Sequence, residues 1–288
     1  MKSRASNFIF LIPFLLLFLV FTAYPIINNF HVSLFEWNGL SPNKKFVGLQ
    51  NYIEMFGDKT FHKSIKNNFL FLVITVIVQN GFGLFLALSL DRKLAGKNIY
   101  RNIFFYPVII APVIVGYIFA KFLNVSSGTI PAFLRAKDLD FLVIDWLGTP
   151  DLAIYAIIFT SIWQWTGFAF VLYQAGLQNI PEELHEAAAI DGASYVQRIT
   201  RITFPLLRST HFTLLILTCI GSIKAFDTVW VMTGGGPGHF SEVLGTFLYK
   251  ENFQLNHTGY ASTISVFLFL LALILTVVQL RLYKKVRL

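Results

Sequence analysis

The chain has a single cysteine, Cys219, so it forms no internal disulfide, and its six histidines are scattered without the spacing that would hold a metal. Charge is scarce as well: 13% of the 288 residues are Asp, Glu, Lys or Arg, about half the share of an ordinary soluble domain. A phosphate loop of the form G-x-x-x-x-G-K-S/T is absent, so the chain has no nucleotide site of that type. Cofactor chemistry therefore has no foothold in these residues. Cys219 lies among Leu217, Thr218 and Ile220 and reads as packing within a helix.

What fills the chain instead is hydrocarbon. Hydrophobic residues make up 55% and the mean hydropathy is +0.63. They come in uninterrupted runs rather than in one-sided stripes, about long enough to cross ~30 Å of bilayer. Six runs are legible, at residues 8–27, 69–90, 103–120, 153–173, 209–232 and 261–280. The expected fold is all-α, a polytopic membrane protein with six transmembrane helices. The first run follows Lys2 and Arg4 as a signal peptide would, but it lacks an A-x-A cleavage site and is expected to remain as an anchor.

Cationic segments resist translocation, so the Lys/Arg count of the loops sets orientation. With the N-terminus inside, segments 1–7, 91–102, 178–208 and 281–288 hold 13 Lys/Arg in 58 residues. The outer segments 28–68, 121–152 and 233–258 hold 9 in 99. Acids add to the contrast, five inside against nine outside, which puts the whole net charge of +8 on the inner face. The basic balance thus reads as membrane orientation with both termini in the cytoplasm, and not as nucleic-acid binding.

The inner segment 178–208 is polar yet patterned. Pro181 suits a first helical turn, and Glu182 and Glu183 complement the positive end of a helix dipole. Leu184, Ala187, Ala188 and Asp191 follow at i, i+3, i+4 and i+7, beside an acidic face that includes Glu186. Gly192 interrupts the pattern, Ser194 can cap a second helix through Arg198 and Arg201, and Pro205 ends or kinks it. A short exposed helix bearing small residues and carboxylates has the shape to enter a groove in another protein.

Glu186-Ala187-Ala188, Gly192, Ile202 and Pro205, at their spacing, resemble the EAA signature of binding-protein-dependent ABC importer permeases, with Phe204 where leucine is usual. Two further stretches resemble the carbohydrate-uptake branch. They are Val47-Gly48-Leu49-Gln50-Asn51-Tyr52 and the segment from Phe226 to Gly234-Gly235-Gly236-Pro237, whose glycines read as a tight turn. The resemblance implies that residues 181–203 are cytoplasmic coupling helices seated in a separate ATP-binding subunit, with Glu186 as the acidic contact and Gly192 as the hinge. It also implies a second permease, in a heterodimer, and an extracellular or periplasmic solute-binding protein. The chain would lie in a bacterial or archaeal cytoplasmic membrane and bind no cofactor of its own, ATP being held by the partner.

Polar groups inside the spans point to the solute path, because burying them in hydrocarbon is costly. Gln164 with Phe168, and Thr218 with Ser222, are spaced i, i+4. The resemblance to maltose permeases places sugar contacts near these positions. Trp163, Trp165, Phe168 and Tyr173 either stack on sugar rings or face lipid and neighbouring helices. Lys224 and Asp227, at i, i+3, either form an ion pair within the membrane or stand near the outer mouth, the ion pair being the reading adopted. Gln79 and Asn80 are expected to hydrogen-bond to neighbouring helices. A stand-alone secondary transporter is the alternative, but apart from Asp227 the acids lie in loops, leaving no carboxylate relay across the membrane. A membrane-embedded enzyme is disfavoured on the same ground.

Overall fold

The computed structural model describes residues 11–90 and 97–287; Lys2, Arg4, the first three residues of the first apolar run and residues 91–96 of the segment expected to form the first inner loop lie outside them. In chain order, α1 (Leu11–Val32) is followed by two short strands, β1 (Phe35–Glu36) and β2 (Lys45–Phe46). The strands pair antiparallel, Phe35 opposite Phe46. Then come α2 (Gln50–Gly57), α3 (Lys59–Ser89), α4 (Lys97–Ile109), α5 (Pro112–Leu123), α6 (Thr129–Arg135) and α7 (Pro150–Leu177). Next are α8 (Glu182–Ile190), α9 (Tyr195–Leu206), α10 (Arg208–Ile223), α11 (Asp227–Thr233), α12 (Leu244–Tyr249) and α13 (Thr258–Arg287). Among the described residues four helices (α1, α3, α7, α13) are each long and apolar enough to cross a membrane, and up to six spans result if two bent pairs each count as one.

Those bent pairs are where the structure departs from the apolar runs. The third run predicts one helix over 103–120, yet α4 and α5 meet at 95°. Pro112 is the cause: its ring disfavours helical backbone at the preceding residue, and Ala111 accordingly has φ −57° and ψ 135°. The fifth run, expected over 209–232, is interrupted after Ile223. Phe226 leaves the helical region at φ −145°, and α11 then starts on Asp227. Asn68 of α3 donates its amide to the carbonyls of both Ser222 and Ile223, at 3.1 and 3.3 Å, satisfying carbonyl groups at the end of α10.

The chain divides into two compact units, Met1–His62 with Phe247–Leu273, and Lys63–Thr246 with Ile274–Leu288. In the first, Asn51 is buried and its amide donates to the carbonyls of Ser33 and Phe35 at 2.9 and 3.0 Å, while the Tyr52 and Ser33 hydroxyls lie 2.8 Å apart. The Asn-Tyr pair of the 47–52 stretch thus fastens α2 to the end of α1. In the second unit α7 is the inner helix, and 61% of its most apolar window is buried. Gly167 explains how closely a neighbour approaches: a Cβ there would lie 2.0 Å from the carbonyl oxygen of Phe104 on α4. Small residues permit such approach where water supplies no driving force between helices. Phe170, Tyr173, Leu177, Leu207 and Leu214 form one buried cluster around α7, and Ile154, Ile157, Ile158 and Val229 belong to another.

Candidate functional site

Within the second unit a cavity of about 360 Å³ opens among α3, α5, α7, α10 and the break before α11. Three of the four residues expected along the solute path line it: Phe168, Thr218 and Ser222. The fourth, Gln164, is fully buried and turns away, its Nε2 donating to the carbonyl of Ile110 at 2.8 Å. It braces the α4–α5 bend instead of facing the cavity. Of the aromatics, Trp165 lines the cavity beside Phe168, whereas Trp163 packs 5.1 Å from the ring of Phe119 and Tyr173 meets His211.

The cavity has further polar residues, outside the two i, i+4 pairs. A π-helical turn, Thr75–Gln79, interrupts α3, and both Thr75 and Gln79 face the cavity from it. Such turns recur at functional sites because the extra residue re-aims the side chains. Thr75 Oγ1 stands 2.8 Å from Ser222 Oγ, and Thr218 Oγ1 donates to Asn80 Oδ1 at 3.3 Å. The expected link from Asn80 to a neighbouring helix is therefore present, while Gln79 is a lining residue.

Lys224 and Asp227 also line the cavity, both exposed, and the described residues form no ion pair between them. The expected Lys224–Asp227 pairing is corrected by the break after Ile223: without a continuous helix, i, i+3 spacing no longer brings two side chains together. Both charges are instead presented to the cavity along with Ser161, Thr218 and Ser222. Hydroxyls, one cation, one carboxylate and the aromatic side chains of Phe71, Trp165, Phe168 and Phe226 make a surface able both to hydrogen-bond to a polar solute and to stack on a ring.

The segment over 178–208 forms a helix pair. Glu182 and Glu183 occupy the first turn of α8, with Pro181 at the N-cap, one position before the first-turn place expected for it. Gly192 has φ +77° and closes α8: its N–H donates to the Ala189 carbonyl at 3.1 Å, and the Ala193 N–H to that of Ala188 at 2.9 Å. This is a Schellman closure, which requires a left-handed residue at the glycine. Ser194 opens α9 with a capping box, accepting from the Gln197 N–H at 3.3 Å while Gln197 Oε1 accepts from the Ser194 N–H at 2.7 Å. Beyond Pro205 the chain bends 65° into α10, with Leu207 buried at the corner.

Glu186, Ala187, Asp191 and Gly192 are exposed, Ala188 and Ile202 are half-buried, and Pro205 is exposed. Apolar side chains on the same elbow are uncovered too, Ile190 at 87% and Val196 at 66%. A well-capped helix pair that leaves such groups bare is built to be covered by something else.

On the segment after α11, Gly234 and Gly235 have φ +58° and +85°, and the Gly236 N–H donates to the Thr233 carbonyl at 3.0 Å. The expected tight turn is present. Asn67 holds the following stretch, donating to the Phe240 and Glu242 carbonyls at 2.8 Å each.

A chain that is helical apart from one short strand pair, with broken spans, a polar cavity and a capped, exposed elbow, has the architecture of a membrane permease. Residues 79–288 match the family described as the binding-protein-dependent transport system inner membrane component, and the chain belongs to that family. It is 39% identical over 285 residues to the probable ABC transporter permease protein YurN of Bacillus subtilis, covering 98% of this chain and 97% of that protein. It is 34% identical over 280 residues to the trehalose/maltose transport system permease protein MalF of Thermococcus litoralis, covering 97% and 94%. The fold matches, at a TM-score of 0.86 and 23% identity, a chain of a bacterial alginate ABC transporter solved with an alginate pentasaccharide-bound periplasmic protein, over 99% of this chain and 96% of that one. The chain is thus the multi-pass permease subunit of an ABC importer, without an ATPase site of its own, and the stand-alone transporter is set aside.

Proposed function

We propose that this permease passes a sugar or sugar-like solute through the α3–α7–α10 cavity and takes its drive from an ATP-binding subunit seated on the α8–α9 elbow. The observation that carries the reading is the elbow: Glu186, Ala187, Ala188, Asp191 and Gly192 form a Schellman-closed helix end whose apolar neighbours Ile190 and Val196 are bare. Ile202 and Pro205 lead from it into the bend before α10. In the assembled importer the elbow and both termini lie in the cytoplasm, a second permease completes the pathway as a heterodimer, and an outer binding protein delivers solute. No cofactor is held by this chain, and ATP belongs to the partner.

A sugar fits the cavity because Trp165 and Phe168 offer ring faces while Thr75, Thr218, Ser222, Lys224 and Asp227 offer donors and acceptors. The trehalose/maltose permease named above supports that class. The test replaces Glu186 by lysine and Gly192 by valine, and measures both retention of the ATPase subunit on the purified membrane complex and uptake of the solute carried by the cognate binding protein. Loss of both is expected. Unchanged retention and uptake would remove the coupling role.

A further inference from the structure

We infer that His211 is the positioning residue that carries movement of the elbow into the cavity-lining helix α7. The inference rests on the coupling role proposed for α8–α9. His211 stands one turn into α10, just past the 65° bend. Its Nε2 lies 3.2 Å from the carbonyl of Phe204 in the last turn of α9, and its Nδ1 lies 2.9 Å from the hydroxyl of Tyr173 on α7. A carbonyl only accepts, so Nε2 carries the proton and donates. The Nδ1 of the neutral ring then accepts from the Tyr173 O–H. The imidazole is thereby a two-ended link with a fixed direction, from the end of the elbow to α7.

The surroundings give that link leverage. Tyr173 is buried, and it lies five residues along α7 from Phe168, about 7.5 Å of helix axis from the cavity wall. Leu207, at the corner between α9 and α10, belongs to the same buried cluster as Tyr173. The start of α10 lies close against α7, where a Cβ on Gly176 would come 2.5 Å from Thr210 Oγ1. Coupling between distant sites travels through such contiguous packing and hydrogen bonds between rigid elements. Packed side chains can slide, whereas the two hydrogen bonds set which turn of α7 follows which turn of α9. A glutamine at 211 retains one donor and one acceptor; a leucine retains neither.

The experiment uses the complete importer in lipid nanodiscs, with Phe168→Cys as reporter in a Cys219→Ala background. The rate at which a charged maleimide labels that cysteine is read as a mass shift on this chain, with ADP and with trapped ATP in the partner. The ratio of the two rates measures how far the nucleotide state reaches the cavity. His211→Leu should pull the ratio toward one by about fivefold, because the two bonds act in series and losing either, the worth of one net hydrogen bond, cuts the link. His211→Gln should keep it. Tyr173→Phe removes only the hydroxyl, leaves the packed ring in place, and should match His211→Leu even if the latter assembles poorly. Full ratios in Tyr173→Phe would overturn the link, as would a glutamine variant no better than leucine, since ring packing against Phe204 would then suffice. A ratio of one in the reporter protein with His211 and Tyr173 intact would overturn the parent reading along with this one, whereas loss confined to the His211 and Tyr173 variants supports the link.

Discussion

The side-chain amide of Gln164, midway along α7, donates to the carbonyl oxygen of Ile110 at 2.8 Å, at the point where α4 gives way to α5. Pro112 has no N–H to offer, and a buried carbonyl left alone in a bilayer costs free energy. Gln164 supplies a donor at the bend and thereby fixes the bend to the central helix. Gln164→Leu should destabilise the protein by about 1–2 kcal/mol, seen as a lower thermal unfolding midpoint in detergent. Gln164→Met should do no better, because a side chain of similar length without an N–H or O–H cannot donate to the carbonyl. An unshifted midpoint in the leucine variant would show that the bend holds without this bond.

Accessibility separates the cavity wall from the brace behind it. With Cys219, itself buried, replaced by alanine, Phe168→Cys and Thr218→Cys should react with a small charged thiol reagent faster than Gln164→Cys by about an order of magnitude. Mass spectrometry of the labelled chain gives the rates. Equal labelling at 164 and 168 would contradict the separation of these two residues by the cavity edge.

That separation also shows how far the sequence carries. Gln164 and Phe168 share a helix face at i, i+4, but four residues turn through about 400°, so the two side chains diverge by about 40°. Spacing alone does not say where a cavity edge falls between them. Apolar length locates α1, α3, α7 and α13, and the Gly192, Ser194 and Pro205 signals of 178–208 fall at observed helix ends, with Pro181 one position early, because a helix end is a local event. Hydropathy runs pass straight through Pro112 and through Lys224–Phe226, so they hide both breaks, although the proline is a visible sign of the first. Asn67 and Asn68 do not stand out in the sequence as bracing groups because their partners are remote in the chain: Asn68 reaches residues more than 150 positions away. Local pattern holds no record of such pairings.

Close approach of α4 to α7 depends on a missing side chain. A Cβ at Gly167 would fall 2.0 Å from the Phe104 carbonyl oxygen, and backbone atoms have no rotamer into which to retreat. Gly167→Ala should force the helices apart and cost about 1–3 kcal/mol, the range for overpacking, with lower yield of folded protein by size-exclusion chromatography. Gly221, which lines the cavity with nothing within 4 Å of its would-be Cβ, is the control and should tolerate alanine without loss of folded yield.

Gly192 allows conformation to be separated from contact. It has φ +77°, and a Cβ added there would meet nothing within 4 Å, so any penalty on substitution comes from the backbone alone. An L-residue with a Cβ pays about 1–2 kcal/mol in the left-handed region, asparagine less, and a β-branched residue more. The order of damage should therefore be Gly192→Asn, then Gly192→Ala, then Gly192→Val. Because the left-handed turn sets the angle between α8 and α9, the loss should appear as weaker retention of the ATPase subunit, by about fivefold to thirtyfold for alanine if the whole strain falls on docking. Titrating the purified ATPase subunit against each permease variant in nanodiscs measures that order directly. Were alanine and valine to bind as tightly as glycine, the closure at Gly192 would be dispensable for docking; were asparagine the worst of the three, its cause would be a contact with the partner and not the backbone of this chain.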